Sequence, residues 1–192
     1  MGRPTPAGLP ASSAERNLLW SRLDEAVAGL GAPPATPVFV VDLDAFDANA
    51  DDLVRRAGGK PVRLASKSIR VPALISRALA HDGFQGVLAY TLREALWLHA
   101  QGLCDDIVVA YPTVDRSALA ELVASPSAAG AITLMVDDVA HLDLVDSVRS
   151  SPTVPVRVAL DVDAGLKVAG RHVGPKRSPL HDAEAVIALG RE

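Results

Sequence analysis

Cysteine is almost missing from this chain: Cys104 is the only one, so no internal disulfide can form and no cysteine-rich zinc site exists. That usage fits a reducing cytosol, and a cytoplasmic location is the expectation. No apolar run reaches the roughly 20 residues that a membrane helix needs. The opening MGRPTPAGLPASSAERN holds no apolar core of signal-peptide length. Pro6 stands where the myristoylation pattern wants Ser or Thr. A positive balance is lacking too. The net charge of −4 leaves no broad basic field for nucleic acid or an anionic membrane, so neither is expected as a partner. A small anion could still be held by a local basic pocket. Also missing are a GxGxxG after the first expected strand and any GxxxxGK[ST], which counts against a nucleotide-binding open sheet.

What is present is ordinary globular material, 49% apolar and 22% charged over 192 residues. This is enough for one well-buried domain and short for two. Residues 1–13 read as a loose Pro/Gly/Ala/Ser tail. Residues 14–30 read as a helix, with Leu18, Leu19, Leu23, Ala26, Val27 and Leu30 at helical spacing, ended by GAPPATP. Short apolar runs then recur at 38–42, 62–66, 86–90, 106–111, 131–136 and 154–161, starting twenty to twenty-five residues apart. Each gap holds one amphipathic helix. The first carries Phe46, Ala50, Leu53, Val54 and Ala57 on one face and stops at Gly58-Gly59. The second has Pro72 in its first turn, and the third opens with the capping box Thr91-Leu92-Arg93-Glu94. The fourth and fifth start near Asp115 and Asp138. Strands alternating with helices predict parallel pairing, in an open doubly wound sheet or a closed barrel. The barrel is preferred. Six βα units are legible where a (β/α)8 barrel needs eight, so the chain reads as part of a longer one. The expected division is a tail and helix over 1–35 and a partial barrel over 36–192.

Active sites in such folds sit beyond the C-terminal ends of the strands. Lys67 follows directly on the second expected strand, between Ser66 and Ser68. Alternation puts Arg63, Ala65 and Lys67 on one face and Val62, Leu64 and Ser66 on the other. It likewise groups Arg157, Ala159 and Asp161 opposite Val156, Val158 and Leu160. The charged set is expected to face the barrel interior, with Asp161 pairing with Arg63 or Arg157. A partly desolvated lysine there favours its neutral, nucleophilic form, which attacks an aldehyde to give a Schiff base. Tyr90 and Tyr111, at neighbouring strand ends, are either cofactor-facing or rim-packing residues. The segment 171–181, RHVGPKRSPLH, reads either as a solvated loop or as a binder of carboxylate or phosphate.

The stretch TPVFVVDLDAFDAN, then VRLASKSIR, then GVLAYTLREALWLHAQGLCDDIVVAYP resembles the alanine-racemase-type (fold type III) barrel over residues 36–170. The opening and the Arg63–Lys67 spacing are most similar to its D-threonine aldolase and D-serine dehydratase branch. The resemblance implies pyridoxal 5'-phosphate as cofactor, Lys67 as its Schiff-base lysine, and Arg63, Tyr90, Asp161 and Lys167 around it. It implies a lyase acting on a small amino acid, with a homodimer as the full-length state. The alternatives are a non-catalytic pyridoxal-phosphate homeostasis protein of the same barrel, or a racemase. No metal site is expected within this chain, which by itself is expected to be inactive. The chain departs from the aldolase pattern: Leu64-Ala65 replaces a Pro-His pair, and Ile69 replaces a histidine. After Asp163-Ala164-Gly165 the family's arginine is missing; Lys167, one position earlier, stands nearest to it.

Overall fold

A computed structural model describes residues 13–32, 34–35, 37–149, 154–168, 171–174 and 176–192. The chain divides into two compact units, Met1–Lys60 and Pro61–Glu192.

The first unit holds α1 (Ser13–Ala28) and α2 (Leu43–Ala57). The α2 boundaries are local in origin. Asp42 caps its start by accepting the N–H groups of Asp44 and Ala45, and Gly58 ends it in the left-handed region at φ 61°. Arg22 of α1 pairs with both Asp42 and Asp44. The strand expected at 38–42 does not form. Phe39 is 94% exposed, and Val38, Val40 and Val41 are all exposed. The apolar pattern is real, but a strand exists only when a neighbour completes its hydrogen-bond ladder, and no described residue pairs with this one.

The second unit is a five-stranded parallel sheet: β1 (Val62–Ala65), β2 (Phe84–Ala89), β3 (Ile107–Val109), β4 (Ile132–Val136) and β5 (Arg157–Leu160). Its order is β1-β2-β3-β4-β5, so every strand lies beside its sequence neighbour. An open doubly wound sheet reverses direction at a switch point; uninterrupted sequential order is the winding of a (β/α) barrel. The architecture is therefore α/β, an incomplete barrel. The crossover helices are α3 (Pro72–Leu79), α4 (Leu92–Ala100), α5 (Arg116–Ala124), α6 (Pro126–Ala131) and α7 (Val139–Ser147), with α8 (Ala183–Leu189) after β5. Helix starts follow the sequence signals: Pro72 in the first turn of α3, and Thr91, Asp115 and Asp138 as N-caps. The short α6 was not legible beforehand. Ser125 ends α5 and caps α6, and Pro126 opens α6 without costing a hydrogen bond.

The core lies between sheet and helices. Val87, Ile107, Ile132, Ile75, Leu98 and Leu122 are essentially sealed from solvent. Strand alternation holds at both ends of the sheet. Leu64 is buried, as is Ser66 in the turn that follows β1, and Val156, Val158 and Leu160 face residues of α7 and α8 across an apolar groove, although Val158 remains exposed. The opposite faces of β1 and β5 are left for the site.

One further element departs from expectation. β6 (Leu166–Val168) and β7 (Arg171–Val173) form an antiparallel hairpin, so the first part of the 171–181 segment is strand rather than loop.

Candidate active site

Lys67 stands on a tightly held turn. β1 ends at Ala65, and Ser66–Ser68 form a single 3-10 turn. Ser66 is fully buried, and its hydroxyl donates to the Leu88 carbonyl of β2 at 3.3 Å. The Ser66 carbonyl accepts the N–H groups of Ile69 at 3.0 Å and Arg70 at 2.9 Å. Arg70 sits at φ 47°, a conformation that non-glycine residues adopt at some cost and that persists only where the surroundings impose it. The small hydroxyl before the lysine thus serves as an anchor, and Lys67 itself is left exposed.

A cavity of about 640 Å³ opens at the C-terminal ends of the strands, a size ordinary for small-molecule sites. Lys67, Tyr90, Tyr111, Asp161, Asp163 and Arg177 line it. The rings of Tyr90 and Tyr111 meet edge to face at 5.8 Å. The Tyr90 N–H donates to the Glu94 carboxylate at 2.7 Å, while Thr91 Oγ1 accepts the Glu94 N–H. The cap of α4 therefore also fixes the tyrosine beside the cavity. Asp161 extends β5 by donating its N–H to Val136 at 2.9 Å.

Arg63 goes elsewhere. It lies four residues before Lys67, at the N-terminal end of β1, and a strand rises about 3.3 Å per residue. Sharing a face therefore does not bring it to the cavity. Its guanidinium pairs with Asp106 at 2.8 Å and donates to the Asp106 carbonyl at 3.0 Å. Arg157, equally low on β5, donates to the Gly130 carbonyl. The expected pairing of Asp161 with Arg63 or Arg157 is thus not made, for this geometric reason. The backbone of Lys167 pairs with His172 in the hairpin; the Lys167 side chain lies outside the described residues.

The sequence placed His172 only within the 171–181 segment, as part of a solvated loop or an anion binder; its pairing with Asp163 was not foreseen. Asp163 Oδ1 accepts the Gly165 N–H at 2.8 Å, and its Oδ2 lies 2.9 Å from His172 Nε2. The Asp163 N–H donates to Leu180 at 2.7 Å. The Gly165 N–H holds the Asp163 carboxyl below the usual aspartate range against the opposing pull of burial, and His172 adds to the lowering. Gly165 is required, because a Cβ there would run into both the His172 ring and Asp163. Asp163 thereby ties the hairpin, which supplies Val173 and Gly174 to the cavity wall, to the end of β5. The Asp-x-Gly spacing was the available signal; the histidine nine residues on was not, since its approach depends on the hairpin.

The donor set fits a pyridoxal-type cofactor: a primary amine at the mouth, two aromatic rings and a carboxylate. Among the described residues no three His, Cys, Asp or Glu side chains group as a metal site, and no helix is long and apolar enough to cross a membrane. No curated protein matches the chain. A solved structure of D-threonine aldolase from Filomicrobium marinum is similar in fold, with a TM-score of 0.65 and 22% identity. The match covers 81% of this chain and 40% of that one, so this chain spans well under half of the aldolase. The family model for the alanine racemase N-terminal domain matches residues 41–189. With that match on a sequentially wound parallel sheet, the chain belongs to the alanine racemase N-terminal domain family, the barrel of the fold type III pyridoxal-phosphate enzymes.

Proposed function

We propose that this chain carries the cofactor-holding part of a pyridoxal-phosphate-dependent lyase, acting on a small amino acid by aldol cleavage or deamination. The carrying observation is Lys67, set on an anchored turn at a strand end with its side chain lining the cavity. Its Nζ would hold the cofactor's carbonyl carbon. When bound, the cofactor supplies an electron sink for charge developing at the substrate α-carbon. Lys67, lining the cavity, would also be placed to take up or return a proton on one face of the substrate. Tyr90 and Tyr111 form an aromatic wall, and Asp161 provides a carboxylate toward any positive charge in the cavity. The VVDLD opening, most similar to the D-threonine aldolase branch, favours lyase chemistry, while the D-threonine aldolase structure supports the shared fold.

Borohydride reduction of the cofactor-loaded full-length protein, followed by peptide mapping, tests the assignment. The adduct is expected on Lys67; an adduct on Lys60 or Lys167 would refute it. Screening amino acids of both hands for aldehyde or ammonia release then distinguishes a lyase from a racemase or a binding protein without turnover.

A further inference from the structure

The cavity beside Lys67 carries a second cation that the reading above does not use. Arg177 lines it, with its guanidinium carbon 4.9 Å from the centroid of the Tyr111 ring. No carboxylate among the described residues forms an ion pair with Arg177. The other charged groups lining the cavity are accounted for. Lys67 is committed to the cofactor. Both oxygens of Asp163 are occupied, by Gly165 and His172. Asp161 is an anion and repels another. Arg177 is therefore the one described cation lining this cavity that is left to meet an anionic group on a ligand.

Its setting suits that task. Stacking on Tyr111 restrains the guanidinium without consuming its N–H donors, which lie in the plane of the group. A restrained planar fork is the geometry that recognises a carboxylate through two parallel hydrogen bonds. We propose that Arg177, held against Tyr111, binds the α-carboxylate of the amino-acid substrate and sets the site's preference for a free acid over its amide. This rests on Lys67 as the cofactor-holding residue.

The test uses full-length protein loaded with pyridoxal phosphate. The probe is 2-aminoisobutyrate, which has neither an α-proton nor a β-hydroxyl to react, alongside its carboxamide; both are titrated by cofactor absorbance. The wild type is expected to bind the acid more tightly than the amide. Arg177→Met should weaken acid binding by about 10- to 100-fold, the range for losing a charge-assisted hydrogen bond, and leave the amide unchanged. Arg177→Lys, which keeps charge but not the fork, should fall between. Affinity for pyridoxal phosphate and for pyridoxal should not change in either variant. If Arg177→Met instead lowers affinity for pyridoxal phosphate and spares pyridoxal, the residue binds the cofactor's phosphate and the proposal is overturned. It is also overturned, alone, if the acid preference survives in Arg177→Met with the borohydride adduct still on Lys67. Loss of the Lys67 adduct in the wild type would overturn both readings.

Discussion

Replacing Gly86 with alanine should be the most damaging one-carbon change in the sheet. Gly86 lies inside β2 at φ 75°, where the pairing of β1 with β2 slips by a residue: Val62 meets Phe84, but Leu64 meets Val87. An L-residue in the left-handed region costs about 1–2 kcal/mol. The new Cβ would also stand 2.6 Å from the Asp106 carbonyl oxygen and 2.7 Å from Asp106 Oδ2, and would overlap the Arg63 guanidinium. It must therefore displace the Arg63–Asp106 pair, whose side chains are 34% and 32% exposed. A pair that open to solvent contributes about 0.5–1 kcal/mol. Its guanidinium hydrogen bond to the Asp106 carbonyl adds about 1 kcal/mol. Together the loss is about 3 kcal/mol. Urea unfolding should show a lowered midpoint with the slope unchanged. The double variant Arg63→Ala/Gly86→Ala should be less harmful than the sum of the single changes, since one clashing group is already gone, while the backbone cost and the Asp106 carbonyl overlap persist. A Gly86→Ala protein within 0.5 kcal/mol of wild type, or strictly additive variants, would show that neither the bulge nor the ion pair is as described.

Three other outcomes follow from the same reasoning. Leu122→Ala in α5 removes a fully buried side chain and should cost about 2–5 kcal/mol by urea unfolding. Thr91→Ala should cost about 1 kcal/mol through the lost cap of α4, and an unchanged midpoint would count against the cap. Asp163 gives a pH signature. Its carboxyl lies below the ordinary value of 3.8, so its contribution is complete above that value and disappears as pH falls through the lower folded-state value. Amide exchange of Gly165 should therefore stay slow from neutral pH down to the ordinary carboxylate range and quicken only in stronger acid; Asp163→Asn should remove that acid step. Loss of protection well above the ordinary carboxylate range would count against the Asp163 carboxylate as the acceptor.

Much of this protein is written locally. Helix starts at Asp42, Thr91, Asp115 and Asp138 are decided within four residues, because a cap satisfies N–H groups of its own first turn, and Pro72 opens α3 where its missing N–H costs nothing. The alternation of β1, with Leu64 buried and Arg63 and Ala65 on the other face, is legible locally, whereas Lys67 lines the cavity from the 3-10 turn that follows the strand. Other features were decided only by tertiary structure. The 38–42 run has the pattern of a strand, but no described residue pairs with it. Arg63 shares a face with Lys67, yet strand rise keeps it at the far end, where Asp106 and the bulge at Gly86 receive it. Arg177 and His172 reach the site only because a hairpin and the chain after it fold back over the strand ends. Caps and alternation act over a few residues and can be read in sequence; ladder partners, ion pairs and cavity walls join residues distant in sequence, so only the folded chain selects them.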